Sequence, residues 1–269
     1  SDGGDNRSRY TDGEIKSVVK EADVVYYLVH SLGSPNFTEV DHLAAADNAG
    51  FAVPDEEHRS RRACGDASGA FNAQDVSALL TAIKGKNPQV ILGSGHLQDS
   101  LLIVKQAKDL DISPKAMGFS VGPSSPEFRE NLQSSADYIF GATQWTEALK
   151  YNGDDPWKTP KAFGDAFRAK PPTYKSIPYQ VAESAVAVIA YQKAIEKAAS
   201  LDPTKVRDAL AAIDVMTYYG KVKFDSRGVN IYKPMAAEQY QPDGNKYTVW
   251  PADVAEKPPL YPMPAWDKR

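Results

Sequence analysis

Between Asn87 and Trp145 the apolar positions come in short bursts separated by polar, glycine-bearing breaks. The run Gln89-Val90-Ile91-Leu92 follows Asn87-Pro88, breaks at Gly93-Ser94-Gly95-His96 and gives way to a helical pattern from Asp99 to Leu110. Ala116-Met117-Gly118-Phe119-Ser120 reads as a second strand, Gly122-Pro123-Ser124-Ser125-Pro126 as a loop, and 127–132 as a short helix. A third strand, Asp137 to Thr143, ends in Gln144-Trp145. Strands alternating with helices call for a parallel sheet. Ligands of such sheets gather at the carboxyl ends of the strands, so the loops at 93–96, 120–125 and 143–145 are predicted to share one rim.

Upstream, Thr11 and Glu14 have the spacing of a capping box for a helix over 14–22. Val24 to Val29 is predicted as a strand, 37–49 as a helix ended by Gly50, 51–53 as a strand, and 54–70 as a mobile loop. Val76, Leu79, Leu80 and Ile83 fall at i, i+3, i+4, i+7 in an amphipathic helix over 74–83. Downstream, 161–168 is predicted as a short helix and 180–199 as a long one. Ala182, Ala185, Val186, Ile189, Ala190 and Ala194 give the long helix a small-residue face. Asp202-Pro203 places an N-cap and a first-turn proline ahead of a helix over 204–212. Strands are predicted at 220–224, 235–240 and 247–250, and the proline-rich tail 258–269 is expected to lie along the surface.

The length of 269 residues allows one large domain or two lobes. With a net charge of -4 and scattered Lys and Arg, nothing points to nucleic acid. No apolar run approaches the ~20 residues of a membrane span, and the polar start Ser1-Asp2-Gly3-Gly4-Asp5 is unlike a signal peptide. The chain therefore reads as mature, trimmed or cytoplasmic. Cys64 stands alone, and His30, His42 and His58 show neither triad nor metal-ligand spacing. Asp2, Asp5 and Ser8 are compatible with a hard cation, but the bland reading, a capped turn, is preferred. Gly93-Ser94-Gly95 is short of a dinucleotide cradle because Gln98 fills the last glycine position.

A set of short segments then occurs in order: 74–80 (QDVSALL), 87–93 (NPQVILG), 105–108 (KQAK), 141–145 (GATQW), 194–198 (AIEKA), 206–210 (VRDAL) and 217–225 (TYYGKVKFD), closed by 249–251 (VWP) and 261–264 (YPMP). From about residue 71 to the C-terminus the chain resembles the substrate-binding proteins of branched-chain amino-acid ABC transporters. That resemblance implies an α/β, periplasmic binding protein type I-like fold, a parallel sheet flanked by helices with a partial or rearranged second lobe. It implies hinge closure on a small ligand, delivery to a membrane ABC permease, no covalent chemistry, no cofactor and a periplasmic or extracytoplasmic location. Carried over by position, His96 and Ser94 follow the 90–92 strand at a ligand-contacting loop, Ser120 lies where relatives place an acid for a ligand ammonium, Gln144 and Trp145 sit at a hinge crossing, and Tyr179 faces the cleft. Ser120-Val121-Gly122 holds no carboxylate, which turns the expectation from a free amino acid toward an amino-acid-like or organic-acid ligand.

The family's usual first-lobe opening is not matched by residues 1–70. A piece at 1–8 resembles von Willebrand A domains and one at 23–32 resembles NAD(P)-binding short-chain-dehydrogenase-like proteins. The expected division is a ligand-binding lobe of 1–145 with 216–250 and a helical return segment of 146–215 with 251–269. Deprived of its usual sheet, the small-residue face of 180–199 is expected to bury itself on another chain, as a homo-oligomer, or on a rearranged core. Two other readings stay open. One is an NAD(P)- or metal-dependent enzyme built on 1–53; the other is a scaffold that keeps the shape without a ligand.

Overall fold

The computed structural model describes residues 25–29, 65–66, 74–170, 177–230, 233 and 235–269. The helices expected over 14–22 and 37–49, the strand at 51–53, Cys64 and the three bland histidines lie outside these. The chain divides into two compact units, Ser1–Thr143 with Ala237–Arg269, and Gln144–Ala236.

Unit 1 is built on a seven-stranded sheet of order β2-β1-β3-β4-β5-β8-β9. Its strands are β1 (Val25–Val29), β2 (Gly65–Asp66), β3 (Val90–Ser94), β4 (Ala116–Phe119), β5 (Phe140–Thr143), β8 (Ala236–Tyr240) and β9 (Lys246–Trp250). From β2 to β5 all neighbours are parallel, and β8 and β9 form an antiparallel pair. β2 falls inside the stretch expected to be a loop: Gly65 and Asp66 pair with Tyr26 and Tyr27. The helices of this unit are α1 (Ser77–Lys84), α2 (Leu97–Asp109) and α3 (Pro126–Leu132). In α2 the buried Leu101, Val104 and Ala107 recur at helical spacing while Lys105 and Lys108 stay outside the core, so burial of one face holds the helix.

Gly93 decides how this core closes. It belongs to β3, not to the loop the sequence suggested, and pairs in register with Phe119 of β4. A Cβ on Gly93 would lie 2.5 Å from the Phe119 ring. The ring uses that space, and it continues into Phe128 at 6.1 Å between centroids and from there to Tyr240 at 5.9 Å.

The tail is attached more firmly than expected. Met263 is buried in the unit 1 core and its N–H donates to the Lys115 carbonyl, while the Trp266 indole N–H donates to the Ile112 carbonyl. Gln239 accepts from the Leu260 N–H and donates to the Leu260 and Tyr138 carbonyls. These bonds tie the tail to unit 1, with which 251–269 groups, whereas the expected division gave it to the helical segment; 216–236 groups with unit 2.

Unit 2 contains α4 (Pro160–Arg168), α5 (Tyr179–Ala198), α6 (Pro203–Ala211) and an antiparallel hairpin of β6 (Asp214–Thr217) and β7 (Gly220–Lys223). β6 was not foreseen, because Asp214-Val215-Met216-Thr217 is too short and mixed to show a period. Asp202 caps α6 as expected, its carboxylate accepting from the Thr204 and Lys205 N–H groups at 3.0 Å. The small-residue face of α5 is buried in this chain at Ala182, Val186, Ile189, Ala190 and Ala194, with Val206 and Ala209 of α6 packed on Ala194. The argument for an oligomer drawn from an exposed face therefore loses its basis.

Gly93→Ala is expected to lower stability by about 1–3 kcal/mol through overpacking against Phe119. Gly85→Ala, in an αR conformation with only ordinary contacts, should be neutral or slightly stabilising. Urea unfolding midpoints of the two variants test the pair.

Candidate functional site

In unit 1 the parallel register sets the ends of β3 and β4 side by side. Val90 pairs with Ala116 and Gly93 with Phe119, so the chain leaves both strands at one edge. Ser94 is exposed at the end of β3, and exposed His96 is the N-cap of α2. Ser120 directly follows β4; its N–H donates to the Gly93 carbonyl at 3.0 Å and its hydroxyl accepts the Gly95 N–H at 3.4 Å. Ser94, His96 and Ser120 are thus brought onto one rim. The carboxylate there, Asp99, accepts the His96 N–H at 2.9 Å and so caps its own helix. Gly93 and Gly95 serve strand packing and this turn, which removes the physical basis for a phosphate cradle.

The unit 2 residues form a second group, organised by Asp155. This buried carboxylate accepts three backbone N–H groups, those of Trp157 and Lys158 at 2.9 Å and that of Tyr218 at 2.7 Å. It thereby fixes the turn Tyr218-Tyr219 between β6 and β7. The Tyr218 hydroxyl donates to the Ala182 carbonyl of α5 at 2.6 Å, and its ring stacks on Phe163 at 4.3 Å. Trp145 and Trp157 meet Tyr218 and Phe163 edge-on. Trp145 is 1% exposed and its indole N–H donates to the Tyr218 carbonyl. It supports the turn from behind; its ring is enclosed among the aromatics of unit 2.

In front of that support lie the groups with chemistry. The Tyr219 hydroxyl donates to Gln144 Oε1 at 2.9 Å. Lys233 Nζ sits over the Tyr219 ring, 4.2 Å from its centroid. Gly220, at φ +115°, lets both approach: a Cβ there would lie 3.1 Å from the Tyr151 ring and 3.2 Å from Lys233 Cγ. Burial, and then the charge of Glu183, raises the Tyr219 and Tyr179 phenols above the ordinary tyrosine value. Burial pushes the Lys233 ammonium down to about 7, opposed by Glu183.

Sequence reasoning named Gln144 and Tyr179 in this group and missed Tyr219 and Lys233. The 217–225 segment was noticed as a motif, but a lysine in a loop gives no signal of burial. No group of three or more His, Cys, Asp or Glu among the described residues could hold a metal ion. Nor is any helix among them long and apolar enough to cross a membrane.

A family model described as "Periplasmic binding protein" matches residues 60–245. The chain belongs to this family. It is 33% identical over 156 residues to the leucine-, isoleucine-, valine-, threonine-, and alanine-binding protein of Pseudomonas aeruginosa, covering 58% of this chain and 39% of that one. It is 25% identical over 194 residues to Leu/Ile/Val-binding protein homolog 8 of Brucella abortus, covering 68% and 46%. Among solved structures, a leucine binding protein, LivK, from Thermotoga maritima superposes with a TM-score of 0.67 at 17% identity, over 90% of this chain and 63% of that one. The branched-chain amino acid transporter substrate binding protein LivJ from Streptococcus pneumoniae, in complex with isoleucine, gives 0.63 at 22%, over 89% and 61%. The fold is that of the type I periplasmic binding proteins. The chain spans less than half the length of these curated relatives.

Two measurements test the unit 2 arrangement. Asp155→Ala strands three backbone donors and should cost about 2–4 kcal/mol in urea unfolding, since buried donors left unpaired cost about 1–3 kcal/mol each and part of that is recovered by water. Lys233 gives a pH signature. Its folded pKa lies below the unfolded value of 10.5, so the folded state holds fewer protons and stability rises from pH 7 toward 10. Glu183 acts on Lys233 by its charge and Tyr219 lies beneath it; the titrating groups around Tyr219 are Glu183, Tyr151, Tyr179 and Tyr218. Subtracting the melting-temperature profile of Lys233→Met from that of the wild type should leave this rise.

Proposed function

We propose that this chain is the solute-binding component of an ABC uptake system, working outside the cytoplasmic membrane and passing a small amino-acid-like or organic-acid ligand to a membrane permease. The observation that carries the reading is the family match over 60–245. The rim in unit 1 supports it, because hydroxyl, imidazole and backbone groups at the carboxyl ends of parallel strands are suited to a small polar solute. Ser94, His96 and Ser120 in unit 1, and Gln144 and Tyr179 in unit 2, are the proposed ligand-contacting residues. Trp145, enclosed behind the Tyr218 turn of unit 2, is proposed as a fluorescent reporter. Function of this kind is binding and release, with no bond made or broken in the ligand.

The test is a thermal-shift and tryptophan-fluorescence screen against branched-chain and aromatic amino acids, their deaminated acids, and NAD(P). A ligand binding only the folded state at a hundredfold excess over Kd stabilises by about 2.7 kcal/mol, a rise of several degrees in melting temperature. A shift with one class of small solute and none with NAD(P) is the expected outcome. A flat response to every solute would overturn the reading.

A further inference from the structure

The ammonium of Lys233 is placed as few structural lysines are. Its Nζ is buried, yet makes neither a hydrogen bond nor an ion pair. A lysine carries three donors. Here the face of Tyr219 lies 4.2 Å away, and a cation over a ring satisfies none of those donors. The Tyr219 hydroxyl is directed to Gln144, to which it donates, and is not a partner of the ammonium. The Lys233 stem is held against Gly220, beside the Tyr151 ring. Glu183, on α5, is felt through its charge but forms no ion pair with Lys233.

An apolar side chain of similar length would satisfy such a position better than an unpaired ammonium. A lysine is favoured there when an acceptor arrives. An anionic acceptor would repay the desolvation of the charge, and its body must suit the aromatic surroundings of Tyr219 and Tyr151, with Tyr179 acting on Tyr219 through its charge.

We propose that Lys233 is an anion receptor in unit 2 that takes the carboxylate of a small monocarboxylic acid, the apolar body of the ligand lying against Tyr151, Tyr179 and Tyr219. This rests on the reading of the chain as a binding protein and names the charge its ligand must carry. The family resemblance pointed to residues 94–96, 120, 144–145 and 179 and gave no role to 233. Binding restores to the ammonium the partner it lacks, so ligand uptake is coupled to protonation of Lys233. In the free protein that group sits at about 7, and affinity falls as the pH rises above it. Contact with the bound anion raises the ammonium's pKa in the complex, so the fall begins near 7 and continues up to that higher value.

The experiment compares three molecules of one carbon skeleton by isothermal titration calorimetry: 4-methylpentanoate, leucine, and the neutral 4-methylpentanamide. Wild type should bind the two carboxylates at least tenfold more tightly than the amide. Lys233→Met should lose at least tenfold in affinity for the carboxylates while leaving the amide within about twofold. Wild-type affinity for 4-methylpentanoate should fall with pH between 7 and 10, by up to tenfold per unit, and the profile of the variant should be flat. Carboxylate binding that survives Lys233→Met unchanged overturns this proposal and leaves the binding-protein reading intact. Amide binding equal to that of the acids does the same. If none of the three binds, the proposal fails, and the broader screen then decides the fate of the reading beneath it. Should Lys233→Met fold poorly, the pH profile of the wild type stands alone: a flat profile overturns the proposal.

Discussion

One carboxylate holds unit 2 in its working form. Asp155 gathers the N–H groups of Trp157, Lys158 and Tyr218, and so ties the loop before α4 to the turn of the β6–β7 hairpin. Charge-assisted bonds to backbone donors are stronger and stiffer than neutral ones. Everything that distinguishes the turn follows from that fixation. Tyr218 points back into the aromatic group with Trp145, Trp157 and Phe163, Tyr219 points the other way toward Gln144, and Gly220 leaves room for Tyr151 and the Lys233 stem. Two adjacent tyrosines thereby acquire opposite duties, one in the core and one beneath a buried ammonium.

Unit 1 depends on shape more than on charge. The column Gly93, Phe119, Phe128, Tyr240 runs from one parallel strand through a helix to the returning strand β8, each ring occupying space its neighbour leaves. Packing of this kind is sensitive to a single methyl group. It also explains why a glycine that resembled a loop residue stands inside a strand.

Much of this was legible in the sequence. β3, α2, β4, α3 and β5 were readable because short apolar runs, helical periodicity and proline or glycine breaks agree with one another between 87 and 145. The caps at Asp202 and Pro203 announced α6 by local chemistry alone. What stayed hidden depends on distant partners. β6 is strand-like only through its pairing with β7, and Gly65–Asp66 only through β1. The tail read as surface because its prolines hide the burial of Met263 and the indole bond of Trp266. For the site, Ser94, His96 and Ser120 share a rim for the reason the pattern suggested, the common direction of parallel strands. Lys233 was invisible because its interest lies in an absent acceptor, and absence leaves no mark on a sequence.

The order of the sheet has one more consequence. Tyr138 and Ile139, just before β5, exchange hydrogen bonds with Tyr240 at the end of β8. The start of one strand is thus beside the end of the other, and all of Gln144–Ala236 is strung between two neighbouring strands of unit 1. In polymer terms unit 2 is a single loop closed by the sheet. The entropy of closing such a loop grows only with the logarithm of its length. In its surface connections, such as the one between α5 and α6, residues can therefore be gained or lost at little entropic cost to the sheet that closes it.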